Sequence, residues 1–196
     1  MSGNKQNSLG PEPRTDAYRL KKTVVLVGMM GAGKTAVGRA LAARLQVPFL
    51  DSDQEIETAA ARTIPEIFER DGEPFFRVKE SQIIARLLTE QPGILSTGGG
   101  AFLAAQNRSE ISEQGVSVWL NADLDLLWSR VRHKDTRPLL RTPDPRAKLK
   151  EIYQARVPVY RLANLSVRAD KRYSIEDMVD RVIAVLASRP DVLEHK

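Results

Sequence analysis

Eight consecutive residues, Gly28-Met29-Met30-Gly31-Ala32-Gly33-Lys34-Thr35, combine bare backbone with one ammonium and one hydroxyl. Glycines lack a Cβ, so successive N–H groups can curl around a single anion. A lysine directly behind them can reach the outer phosphates of a polyphosphate, and a threonine hydroxyl can ligate Mg²⁺. The spacing is Gly-x-x-x-x-Gly-Lys-[Ser/Thr], which carries this chemistry between a strand and a helix. Both are expected here. Residues 23–27 read as an apolar strand, and residues 36–45 place Val37, Leu41 and Leu45 at four-residue spacing. The helix start adds unpaired donors and partial positive charge. The expected ligand is a nucleoside triphosphate.

Other clusters offer acid–base and anion-binding chemistry. Asp51 and Asp53 end a short strand at 47–50, and alternate positions of an extended segment can point the same way. One carboxylate could hold Mg²⁺ through water while the other accepts a proton or hydrogen bonds from a hydroxyl; a helix cap at Asp53 is the competing reading. Gly98-Gly99-Gly100 follows a strand at 93–96, where main chain can approach a ligand closely. Arg77, Arg137 and Arg156 carry planar guanidinium groups, suited to clamping a carboxylate or steadying a phosphoryl group; taken singly, each also fits a solvated surface arginine. His133 and His195 are far apart and suggest no metal pair, and Trp119 and Trp128 read as core.

The elements that must hold these residues alternate between strand and helix. Further strands are expected at 116–120 and 165–169. Residues 54–90 are helical in pattern, with Thr63 and Glu66 as a capping box and a break at Asp71-Gly72. Helices follow at 122–131, at about 146–156, and after the Ser174–Asp177 capping box. This is an α/β fold: a parallel sheet covered on both faces, with ligands beyond the carboxyl ends of its strands. Residues 132–146 are dense in charge, carry three prolines, and read as a mobile lid. Residues 1–20 read as a disordered tail whose removal should leave folding intact; residues 21–196 make one domain.

Composition narrows the partners. Of the net charge of +5, residues 1–22 hold +3, from five basic side chains against two acids. Little excess is left for the rest, so no nucleic-acid surface is expected. No window is long and apolar enough to span a membrane, and the polar start lacks an export-signal pattern. The absence of cysteine suits a cytoplasmic protein.

Taken together, these motifs resemble the shikimate kinase family, from about residue 22 to residue 186. The resemblance rests on the 28–35 loop with Val37-Gly38-Arg39, on Asp51-Ser52-Asp53 and on Phe76-Arg77-x-x-Glu80. Gly98-Gly99-Gly100, Arg137-Pro138-Leu139-Leu140 and Arg156-x-Pro-x-Tyr160 complete it. It implies a three-layer fold with a five-stranded parallel sheet, a substrate-binding helical region at about 53–90, and a lid at about 132–146. The implied reaction transfers the γ-phosphoryl of ATP to the 3-hydroxyl of shikimate, giving shikimate 3-phosphate on the route to chorismate and the aromatic amino acids. It places the ATP phosphates on Gly31, Ala32, Gly33, Lys34, Thr35 and Ala36. Mg²⁺ falls on Thr35, and on Asp51 and Ser96 through water. Asp53 would bind the ring hydroxyls and is the candidate base. Arg77 and Arg156 would take the carboxylate, and the Gly99–Gly100 main chain the ring side. Arg137 would close onto the phosphates, and Arg130 would lie against adenine. A monomer is expected. Thr35-Ala36 departs from the commoner Ser-Thr, keeping the metal hydroxyl and dropping a second one. A gluconate-type kinase and a non-catalytic nucleotide switch are the competing readings.

Overall fold

The computed structural model describes residues 18–134 and 138–196; Arg137 and residues 1–17 lie outside them. Five strands form the main sheet: β2 (Thr23–Val27), β3 (Phe49–Asp51), β4 (Ile94–Ser96), β5 (Gly115–Asn121) and β6 (Leu165–Arg168). Their order is β3-β4-β2-β5-β6, and every pairing is parallel. The five residues of β2 are all buried, because a central strand of a doubly covered sheet meets no water on either face. Its register sets Val24 beside Ile94 on one side and Val116 on the other.

Between the strands run α1 (Lys34–Leu45), α2 (Ser52–Ala60), α3 (Ile64–Leu88), α4 (Ala105–Gln114), α5 (Leu124–Val131), α6 (Pro145–Tyr160) and α7 (Ile175–Leu186). Helices α1 and α7 pack on each other, as do α3 and α4. With the right-handed crossovers that parallel strands adopt, this strand order assigns the two pairs to opposite faces of the sheet. The expected cap signals are in place. Thr63 with Glu66 starts α3 and Ser174 with Asp177 starts α7, each as a complete capping box. Helix α3 is broken at Gly72, whose φ of 82° lies outside helical values. The apolar stripe of α7 buries Met178, Val179, Val182, Ile183 and Leu186.

Two differences from the sequence reading have physical causes. Helix α6 does not stop at Arg156 but continues through Pro158 to Tyr160. Proline removes one helical hydrogen bond, and the carbonyl so released belongs to exposed Gln154, where water can serve it. The second difference corrects the tail boundary. Tyr18–Leu20 is a strand, β1, paired antiparallel with β7 (Leu193–His195). Leu20 is buried with Val192 and Leu193, and the Lys21 ammonium lies 3.1 Å from Glu194. Three residues of alternating pattern are too short to signal a strand by periodicity alone.

Truncation through Leu20 is therefore expected to lower the melting temperature by about 5 °C or more, relative to a chain starting at Tyr18. One buried leucine is worth about 2 kcal/mol or more, and each kcal/mol moves a domain of this size by about 2–4 °C. Equal melting curves for the two chains would show that β1 adds nothing to stability.

Candidate active site

The loops after β2, β3 and β4 converge on a cavity of about 550 Å³ at the carboxyl ends of the strands. The glycine loop forms one wall. Gly31 and Gly33 have φ of 81° and 94°, a region open to glycine. Gly33 is the N-cap of α1 and supplies no side-chain acceptor, so the first N–H groups of the helix remain available to an anion. The Lys34 ammonium donates to the carbonyls of Gly28 at 2.7 Å and Met29 at 2.9 Å, which holds it at the loop. Arg130 on α5 donates to the Gly31 carbonyl at 3.0 Å, and burial pulls its pKa below the usual arginine value.

The metal-binding expectation has a simple geometric basis. Asp51 and Ser96 are direct neighbours in the β3–β4 register and line the cavity together with Thr35. Asp51, not Asp53, caps α2: its Oδ1 accepts from the N–H groups of Asp53 at 2.9 Å and Gln54 at 3.3 Å. Its second oxygen has no protein partner among the described residues. No cluster of three or more His, Cys, Asp or Glu capable of holding an ion occurs among the described residues. One hydroxyl, one carboxylate and one serine fit Mg²⁺, which keeps its waters and arrives with phosphate ligands.

With Asp51 as the cap, Asp53 falls in the first turn of α2 and faces the cavity. Burial raises its pKa, and the Asp51 charge adds to the effect; Lys34 opposes it, Glu57 reinforces it, and Arg77 opposes it. Opposite stands the glycine triplet, where any side chain would displace the polar groups that face it. A methyl group on Gly98 would lie 2.9 Å from Asp53 Oδ1, one on Gly99 2.9 Å from an Arg156 nitrogen, and one on Gly100 2.6 Å from an Arg77 nitrogen. Three polar side chains from α2, α6 and α3 thus press on one stretch of naked main chain. The structure brings together Asp53, Arg77, Arg156, Gly99 and Gly100, all picked from the sequence.

Other contributors carried no role in the sequence reading. Glu80 is buried, 1% exposed, and accepts from Arg77 at 2.8 Å. Exposed Glu73 takes the other side of the same guanidinium at 3.2 Å. Tyr160 lies one turn after Arg156 on α6. Helical spacing could have flagged both, since residues three or four apart share a face. Tyr173, Ile175 and Met178 line the far end of the cavity with Arg130. Ile175 is 49% exposed although Met178, Val179, Val182, Ile183 and Leu186 of the same helix are buried, a signal that its surface serves something other than the core.

A strand-anchored glycine loop beside a cluster of one carboxylate and two guanidinium groups around Gly98–Gly100 defines a P-loop phosphotransferase acting on a small polar acceptor. The family model described as shikimate kinase matches residues 30–187. The shikimate kinase of Ruegeria pomeroyi is 72% identical over 178 residues, 91% of each chain, and that of Cereibacter sphaeroides is 68% identical over 176 residues, covering 90% of this chain and 88% of its own. Among solved structures, the shikimate kinase from Acinetobacter baumannii in complex with shikimate superposes with a TM-score of 0.79 at 38% identity, over 85% of this chain and 93% of that one. The chain belongs to the shikimate kinase family, whose members use ATP with Mg²⁺ to phosphorylate shikimate. A gluconokinase from Sinorhizobium meliloti, at 18% identity and a TM-score of 0.56, shares the fold alone.

Proposed function

We propose that the cavity and the side-chain cluster adjoining it at Gly98–Gly100 divide the work of ATP-dependent shikimate phosphorylation between nucleotide and acid. At the nucleotide end, the N–H groups from Gly31 to Ala36 cradle the phosphates and Lys34 neutralises them. Thr35 ligates Mg²⁺, with Asp51 and Ser96 holding its waters. Mg²⁺ supplies charge neutralisation across the transferring phosphate. Arg130 and the Tyr173–Ile175 surface flank the base.

At the acid end, Arg77 and Arg156 take the carboxylate and Asp53 takes the ring hydroxyls. The Gly99–Gly100 main chain supports the ring. Asp53 accepts the proton of the attacking 3-hydroxyl, a role favoured by a carboxyl whose pKa burial has raised toward working pH. Arg137 meets the γ-phosphate from the 132–146 segment. Cytoplasmic residence and a monomeric state belong to the same reading, supported for the first by the cysteine-free sequence. The observation that carries the assignment is the glycine triplet pressed by Asp53, Arg156 and Arg77 at once.

Arg77→Ala and Arg156→Ala are each expected to raise the shikimate KM at least about tenfold while the ATP KM stays within about twofold. Lysine at either position should not restore it, since one ammonium cannot copy a two-pronged contact. A rise in the ATP KM instead, measured by coupled ADP release, would move these arginines to the nucleotide.

A further inference from the structure

The Tyr160 side chain is fully buried yet bears a hydroxyl at the edge of the acid site. Its ring packs beside Trp119 of β5, with centroids 6.3 Å apart. The phenol O–H donates to the carbonyl of Gly99, across a sequence gap of 61 residues. The Arg156 guanidinium faces the same glycine: a Cβ on Gly99 would lie 2.9 Å from an Arg156 nitrogen and 3.6 Å from the phenol oxygen. One hydroxyl thus joins α6 to the loop after β4.

The bond to Gly99 acts on more than a carbonyl. The Gly99–Gly100 peptide is trans, like every other one described, so the Gly99 C=O and the Gly100 N–H point in opposite directions. Fixing the carbonyl fixes the direction of the neighbouring donor. Neither the Gly99 nor the Gly100 N–H finds an acceptor among the described residues. Glycine backbone is also the freest to rotate, so without an anchor this peptide would sample many orientations. A hydroxyl is suited to the task, because it donates to the carbonyl and keeps lone pairs open to the guanidinium.

We infer that Tyr160 is a positioning residue for the acid substrate, setting the Arg156 fork and the Gly99–Gly100 peptide in one geometry before shikimate arrives. The inference rests on the carboxylate clamp proposed above. Burial raises the phenol's pKa against the opposing charge of Arg156, so the hydroxyl keeps its proton and remains a donor. Preorganisation of this kind tightens binding by sparing the ordering cost at the moment of association. It therefore acts on acid affinity and leaves the nucleotide end alone.

Tyr160→Phe removes one oxygen and keeps the ring, so it separates the brace from the packing. Calorimetric titration with shikimate, without nucleotide, is the direct measurement; any unfolded fraction lowers the stoichiometry and not the Kd. Tyr160→Phe should weaken shikimate about tenfold, as expected for breaking a buried hydrogen bond, with the ATP KM unchanged. On an Arg156→Ala background the same change should add no more than about threefold, since residues acting through one another are not additive. A Kd within about twofold of wild type for Tyr160→Phe, or a full loss of about tenfold on top of Arg156→Ala, would overturn the inference. If Arg156→Ala alone leaves the Kd unchanged, the clamp itself fails and the inference falls with it.

Discussion

Lys34→Ala is expected to reduce turnover by about 10³-fold or more, while circular dichroism and melting temperature stay close to wild type. The ammonium sits at the phosphate loop, held by the Gly28 and Met29 carbonyls, and contributes charge there rather than packing. Phosphoryl transfer offers a protein little covalent chemistry, so positioning and charge neutralisation supply most of the acceleration. Arg130 lines the same cavity, but it is held on the α5 side of the loop by its bond to the Gly31 carbonyl, so it does not take the place of the ammonium. Lys34→Met, which keeps most of the aliphatic stem, should lose as much. Steady-state ADP release within about tenfold of wild type, from a folded variant, would remove Lys34 from the reaction.

Asp53→Asn should lower kcat by about 10²- to 10⁴-fold, the usual range for losing a general base, and yet raise the melting temperature at neutral pH. The two effects share one origin. Burial and the neighbouring Asp51 charge disfavour the ionised form of Asp53, and no donor hydrogen-bonds its carboxylate among the described residues. A carboxyl with a raised folded-state pKa binds its proton more tightly folded than unfolded. Its contribution to stability is then complete below the unfolded pKa and lost as pH rises through the folded one. At neutral pH the charged carboxylate is a burden on the fold, and the isosteric amide relieves it. The stability difference between variant and wild type should shrink as the solution is acidified toward the unfolded carboxylate range. Activity of the wild type should fall over the same acid limb, as the base takes up a proton. Thermal melts at neutral and acid pH check the first claim, and the pH profile of kcat/KM checks the second. An Asp53→Asn variant less stable than wild type at neutral pH would contradict this account.

The sites that are legible in the sequence are those where chemistry demands a residue type at a fixed spacing. The glycine loop, Asp51 and Asp53, and the glycine triplet each follow a strand, and a parallel sheet brings strand ends together. Their convergence is thus implied once the strands are read. Cap residues are equally readable, because a side-chain acceptor three residues before a carboxylate has a local cause. What the sequence hides depends on contacts distant along the chain. Which aspartate caps α2 cannot be decided locally, since both choices satisfy the same pattern. Helix α4 buries little beyond Ile111 and Asn107, too few positions to set a period. Glu80 stands in a motif without a role until its 1% exposure and its bond to Arg77 give it a task. Strand β1 is defined by partners at the other end of the chain, at a range where no window sees both.

That pairing of β1 with β7 lays two segments remote in sequence side by side. Tyr18 faces His195 across an antiparallel ladder, where opposed Cα atoms stand about 5 Å apart. The segment enters β2 at its amino end, whereas the phosphate loop leaves from the carboxyl end, a strand length away. Joining Lys196 to Tyr18 would need a short linker, and closing so small a loop carries little entropic penalty. In a variant lacking residues 1–17 the chain could therefore be closed through β1 and β7. New ends could be opened on the surface far from the cavity, and cargo fused to Lys196 would start from the face opposite the chemistry.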